Sequence, residues 1–469
     1  MYYNLTYITQ YFKAMKNILK RPFLIIFLII VIVNISYALI YNIKPAVDAE
    51  AYDEIALNIV NHGEYRASLT TPLNMDGSIT RIGPGYEYFL AIIYKIFGRN
   101  PWIAWCIQAI LFALTILMLG SITTKLFPNV NKKILYLIMI FSGVLVDIIQ
   151  LNGMLMTESL FLFTLSLCFY YFVNIIDQNK WYSWIVLGIL LGILTLIRPT
   201  GLIVFIFLSA VIVFKYKKNS ILFIALVASM FILVQLPWVI RNHNVFGKII
   251  FHSTADGMNL LSGNYPGNHG EFNADFPFYK ELKEKYESPV EFSEQAKLWY
   301  KNFVLEHPLQ ATGILIEKSV VLFSLAKTSG FWFHYFSKYD QLATLLISVT
   351  QNLIILSCIL VYLLILIGKI KNRTIEKKEI FILFTFLILI ATPILTVIAN
   401  RHRLPLTIIS LPVMAWVFDY LIINYKTQYK KILLAVLIIF LSTSVDVYLQ
   451  FDKFKSRLQR VDKMEQNVK

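Results

Sequence analysis

Residues 23–41 read FLIIFLIIVIVNISYALIY, and residues 47–68 just behind them read VDAEAYDEIALNIVNHGEYRAS. The first stretch is an apolar run of membrane-spanning length. The second is polar and acid-bearing, at the point where such a helix must emerge into water. Lys13, Lys16, Lys20 and Arg21 precede the run and no small-residue cleavage site follows it. That pattern reads as an uncleaved signal anchor with a cytosolic N-terminus. The polar stretch then lies outside, as a solvated loop or as a site.

The rest of the chain repeats the first pattern. Of its 469 residues 57% are hydrophobic and 15% charged, and its mean hydropathy is +0.63. This composition excludes a single soluble domain. The net charge of +15 does not indicate nucleic acid, because the lysines and arginines fall in short connections between apolar runs, where they encode orientation. Cys106, Cys168 and Cys358 all lie inside apolar runs, which gives neither a disulfide framework nor a metal spacing.

Runs near 23–41, 102–123, 134–150, 156–176, 183–197, 199–214, 220–240, 343–368, 379–399, 404–424 and 432–450 predict an all-α polytopic membrane protein with about eleven spans, within a range of 10–13. Alternation puts Lys125–Lys133, Asp177–Lys180 and Lys215–Lys218 inside. Glu317 and Lys318 interrupt the run at 309–327, which is therefore expected to be an interfacial helix. The expected organisation is a transmembrane module at 1–240 with a catalytic first outer loop at 43–101, an outer loop or small cap at 241–342, and C-terminal helices with a basic tail at 343–469.

Under this topology the ionisable residues near span ends converge. Asp48, Glu50, Arg81, Glu158, Arg198, Arg241, Arg401, His402 and Arg403 all land at the outer boundary, where charges are costly unless they are paired or face a water-filled cavity. An outer-face polar cavity is the expectation. Tyr52, Ile55, Ala56 and Ile59 recur at helical spacing, which predicts an amphipathic surface helix with Asp48 at its start, where Asp also serves as an N-cap. Pro84 and Gly85 mark a turn into a second such helix, Tyr86 to Phe97.

These residues carry a resemblance. The pattern from Asp48 through Tyr52 to RIGPGYEYFLA at 81–91, followed in order by MTESLF at 156–161, LIRPTGL at 196–202 and RHRLPL at 401–406, resembles the C-type membrane glycosyltransferases. Among these are the protein O-mannosyltransferases and the lipid A aminoarabinose transferases. The resemblance implies inverting transfer of a sugar from a polyprenyl monophosphate donor to a glycolipid, polysaccharide or protein acceptor at the outer face of the cytoplasmic membrane. It further implies that Asp48 is the catalytic acidic position and Glu158 the second acid.

The residue types suit that chemistry. A carboxylate can take the proton of a sugar hydroxyl as the new bond forms, and arginines suit a departing lipid phosphate. Arg403 and Arg198 are the first choices for the phosphate, then Arg81, Arg241 and Arg401, with Tyr52, Glu50 and Tyr86 nearby. Ile82-Gly83 adds one residue to the family's Arg-x-Pro-Gly-Tyr pattern. No redox cofactor is required. Some relatives use a divalent metal, but none of the seven histidines shows metal spacing. A flippase or transporter would carry polar groups near the midplane and symmetric repeats. An O-antigen polymerase or ligase would lean on a large late loop instead of an early Asp.

Overall fold

The computed structural model describes residues 21–178, 180–327 and 341–451. Lys13, Lys16, Lys20, His334 and the basic tail from Lys453 lie outside them. The described residues form helices and no strand. In chain order these are α1 (Arg21–Tyr41), α2 (Asp48–His62), α3 (Gly85–Phe97), α4 (Pro101–Leu126), α5 (Lys132–Gly143), α6 (Val146–Asn152), α7 (Glu158–Ile175), α8 (Trp181–Ile197), α9 (Thr200–Tyr216) and α10 (Ser220–Phe246). There follow α11 (Ala255–Asn264), α12 (Pro277–Lys285), α13 (Pro289–Glu306), α14 (Pro308–Leu322), α15 (Gln341–Lys371), α16 (Lys377–Leu395), α17 (Leu404–Ile409) and α18 (Leu411–Leu449).

Among the described residues, seven helices are long and apolar enough to cross a membrane, and eight if the bent pair α5–α6 counts as one span. The expected eleven apolar runs are all helical, but three departures explain the lower count. Helices α8 and α9 have 17 residues each. The run at 134–150 is broken at Val144–Leu145, where α6 bends 49° away from α5. Gln351 from α15 bridges that break, accepting from the Val146 amide and donating to the Val144 carbonyl. The last two runs form one 39-residue helix with a non-helical residue at Asn424.

That helix folds back on itself. Straight, it would be about 58 Å long. Yet Thr443 accepts from the Leu325 amide and Asp446 faces Lys327 at 3.3 Å, while the neighbouring Ser324 carbonyl accepts from Arg403, just before α17. The far arm therefore returns to the end where the near arm began. Trp416 on the near arm meets Phe127 at the end of α4, and Lys378 lies over the same ring. The basic connections at 125–133, 215–218 and 369–378 gather at that end.

Local packing follows from small residues and caps. Gly188 and Gly192 in α8 let α10 approach closely, since a Cβ at either would collide with Val227 or Val234. Gly63, at φ 71°, ends α2 in the left-handed conformation. The apolar stripe of α2 turns inward rather than onto lipid: Tyr52, Ile55 and Ala56 are buried, and Tyr52 packs edge-on against Tyr86 of α3. Asp53, on the adjoining face, ties α2 to α3 through Arg99 and Tyr94, each at 2.6 Å.

Residues 247–327, whose fold the sequence leaves unread, form the four helices α11–α14 and their connections, the cap. Leu261, Phe276, Tyr279, Phe292 and Ala296 from α11–α13 and their connections make its own apolar core. The charges that interrupt the run at 309–327 are both used. Glu317 pairs with His269, and buried Lys318 donates to Asn264 and to the Ile394 and Thr396 carbonyls at the end of α16.

Candidate active site

One end of the bundle, opposite the basic connections, holds a cavity of about 440 Å³. Its polar lining includes Asp48, Tyr52, Thr80, Arg81, Gln150, Arg401 and His402, and the cap contributes Met258, Asn259 and Phe272. The expected acid is therefore at a cavity, though not as an N-cap. Asp48 is the first residue of α2, and Val47 holds the N-cap position. Its Oδ1 accepts from Arg81 at 3.1 Å and its Oδ2 from Arg401 at 2.6 Å. Both oxygens of the carboxylate are held by guanidinium groups.

The backbone turns sharply to present it. Val47 has φ 54° and ψ −113°, a conformation strained for a β-branched residue, of the kind retained where surrounding structure imposes it. Burial acts to raise the Asp48 pKa, but Arg401, then Arg81 and His402, outweigh it and hold the carboxyl below the usual carboxylate range. Arg401 is correspondingly held charged by Asp48 and Glu158 against the effect of its burial.

Glu158 begins α7 and is buried. It pairs with Arg198 and approaches Arg401 Nε at 3.8 Å, so Arg401 stands between the two acids. Glu158 Oε2 has no hydrogen-bond partner among the described residues. Tyr86 lies behind Tyr52 and donates to Gln108 at 2.5 Å. Glu50 is exposed on α2.

The structure places the preferred arginines away from the cavity. Arg403 is buried and donates to the Leu322, Ser324 and Lys327 carbonyls and to Asn352 Oδ1, which joins α17 to the cap and to α15. Arg198 is buried as well, spent on Glu158 and Thr157 and lying over Phe161. Neither lines the cavity. Arg241 is elsewhere: it donates to the Tyr65 carbonyl and sits among the Tyr65, Trp238 and Phe246 rings. Alternation of spans places these residues at the right end of the bundle but says nothing of which way each guanidinium turns. Arg403→Leu is expected to lower stability by about 3 kcal/mol, because four acceptors lose a charged donor; thermal unfolding in detergent measures this.

Arg81, by contrast, reaches Asp48 despite the extra residue at Ile82-Gly83. Gly83 absorbs it, since a Cβ there would collide with His252 and the Leu196 carbonyl. His402 is a site residue that spacing does not single out. Its Nδ1 donates to the Val397 carbonyl at 2.8 Å, leaving Nε2 as an acceptor, and burial together with Arg401 and Arg198 pulls its pKa down to about 4. Among the described residues no group of three or more His, Cys, Asp or Glu could hold a metal ion.

Residues 82–240 match the family model of dolichyl-phosphate-mannose-protein mannosyltransferase. The matched stretch, about a third of the chain, is similar to that family of glycosyltransferases. It includes Glu158 and Arg198 and begins one residue after Arg81. Two crystal structures of the Archaeoglobus fulgidus oligosaccharyltransferase are similar over most of this chain. One, in complex with zinc and sulfate, has 14% identity, a TM-score of 0.47, and coverage of 90% of this chain and 52% of its own. The other, tethered with an acceptor peptide containing the NVT sequon, has 13% identity, a TM-score of 0.48, and coverage of 92% and 56%. The chain thus spans about half the length of those structures. No curated protein matches it.

Proposed function

We propose that the chain is an inverting glycosyltransferase that moves a sugar from a polyprenyl-monophosphate donor to an acceptor hydroxyl at the outer face of the cytoplasmic membrane. The observation that carries this is Asp48 at the cavity wall with one arginine on each oxygen. Around it three guanidinium groups, Arg81, Arg198 and Arg401, face two carboxylates, Asp48 and Glu158. The cluster carries one surplus positive charge, which a phosphodiester matches.

In the reaction the acceptor oxygen attacks the anomeric carbon from the side opposite the phosphate. The new C–O bond forms as the bond to the phosphate oxygen breaks, and the hydroxyl proton passes to Asp48. The leaving polyprenyl phosphate gains a negative charge, which Arg81 and Arg401 meet as planar, multidentate donors at the cavity wall. Arg81 and Arg401 take the phosphate role first expected of Arg403 and Arg198. Since those two arginines also occupy Asp48, the donor phosphate competes for them and frees the base, which favours binding of donor before acceptor. The basic connections at the opposite end support the outward orientation.

Purified protein in proteoliposomes, supplied with synthetic polyprenyl-phosphate sugars and membrane acceptors, is expected to transfer label with inversion. Transfer from nucleotide sugars only would overturn the assignment. The pH profile adds a test. A depressed Asp48 pKa keeps the basic form present as pH falls, so the acid limb of kcat/KM, which reports free enzyme, should lie below the usual carboxylate range. The limb of kcat should lie higher, because in the donor complex the arginines have turned to the phosphate.

A further inference from the structure

Gln150 sits in α6, the short helix that bends away from α5, and lines the same cavity as Asp48 and Arg401. It is 4% exposed. Other buried amides of α1, α4 and α6 are hydrogen-bonded. Asn34 donates to Ile30 and Gly143 carbonyls and accepts from Asn152. Asn152 in turn accepts from Ser159. Gln108 accepts from Tyr86 and donates to the Asn152 and Met154 carbonyls.

Gln150 differs from all three. Its Nε2 is buried and has no hydrogen-bond partner among the described residues. A buried amide donor left unpaired is costly, and the local backbone is not free to supply a partner. Gln108 pins the chain at Asn152 and Met154, Gln351 pins the start of α6, and Asp147 is held by Ser348 and Asn352. The unpaired amide is thus built rigidly into a cavity wall whose near neighbours, Leu151, Met154 and Met156, are apolar.

We propose that Gln150 is a specificity-determining residue that hydrogen-bonds a hydroxyl of the donor's sugar. This rests on the donor reading given above. The chemistry is complementary: an amide both donates and accepts, as a hydroxyl does, while Leu151, Met154 and Met156 offer apolar surface to the C–H faces of a pyranose or furanose ring. The arginines take the phosphate of the same molecule. A site built to bond one hydroxyl discriminates strongly against an epimer that leaves the amide unpaired.

The test uses the full chain in lipid nanodiscs and two kinds of probe: a sugar-free C20 polyprenyl phosphate, and the same lipid carrying glucose, mannose, galactose or an N-acetylhexosamine. Wild type should bind one glycosylated lipid more tightly than its epimers. Gln150→Leu should weaken that lipid about tenfold and flatten the preference, with the sugar-free lipid bound within about twofold of wild type and an unchanged unfolding temperature. Gln150→Asn, which keeps the amide but withdraws it, should also lose the preference and serves if the leucine variant does not fold. A preference untouched by both variants, or equal weakening of sugar-free and glycosylated lipids, overturns the proposal alone. Wild-type failure to bind any of these lipids overturns the donor reading and the proposal together.

Discussion

Asp48→Asn is expected to lower sugar transfer about 10³-fold while the protein stays inserted and folded, a loss in the range that removal of a positioned general base produces. Asparagine keeps the shape of the side chain and can still accept a hydrogen bond from an arginine, but it cannot take a proton from the acceptor. The ion pairs it breaks are partly exposed, with Asp48 at 28% and Arg81 at 30% side-chain exposure, so the stability change should stay within about 1 kcal/mol. Donor binding should hold or tighten, because Arg81 and Arg401 no longer neutralise a carboxylate. Single-turnover transfer from preloaded donor, measured beside donor affinity, separates these effects. Full activity in Asp48→Asn, together with loss in Glu158→Gln, would move the base to Glu158.

The helical, membrane-spanning character of the chain was legible because it rests on run length and charge placement, both of which are sums over many residues. The position of Asp48 was legible for a related reason: an acid immediately after an apolar run has few places to go. What the sequence could not resolve depends on side-chain direction and on breaks within runs. RHR at 401–403 sends neighbouring arginines to different surroundings, Arg401 to Asp48 and Arg403 to the carbonyls of 322–327. Composition does not distinguish them. The bend at Val144–Leu145 lies inside an apolar run without Pro, and it is held by Gln351, more than 200 residues away. No local signal marks that partner. Gln150 was invisible for the same reason, since what sets it apart is a partner it lacks.

Arg401→Ala is expected to reduce kcat/KM about 10³-fold, near the upper end of what removing one preorganised donor costs. The side chain donates to Asp48 at 2.6 Å and lies 3.8 Å from Glu158, so its removal takes a phosphate ligand and the surplus positive charge together. Both acids retain a partner, Asp48 in Arg81 and Glu158 in Arg198, which is why folding should survive. With its largest opposing influence gone, the Asp48 pKa should rise, and the acid limb of kcat/KM should move up in pH. Arg401→Lys should recover part of the rate, because a single ammonium supplies charge but cannot span two carboxylates and a phosphate as a planar guanidinium can. Arg403→Leu is the contrasting control: its loss should appear in the unfolding temperature, with no shift of the acid limb in the folded fraction. If Arg401→Ala keeps donor affinity and its pH profile while losing only stability, Arg401 is a structural arginine like Arg403, and the phosphate must be held elsewhere.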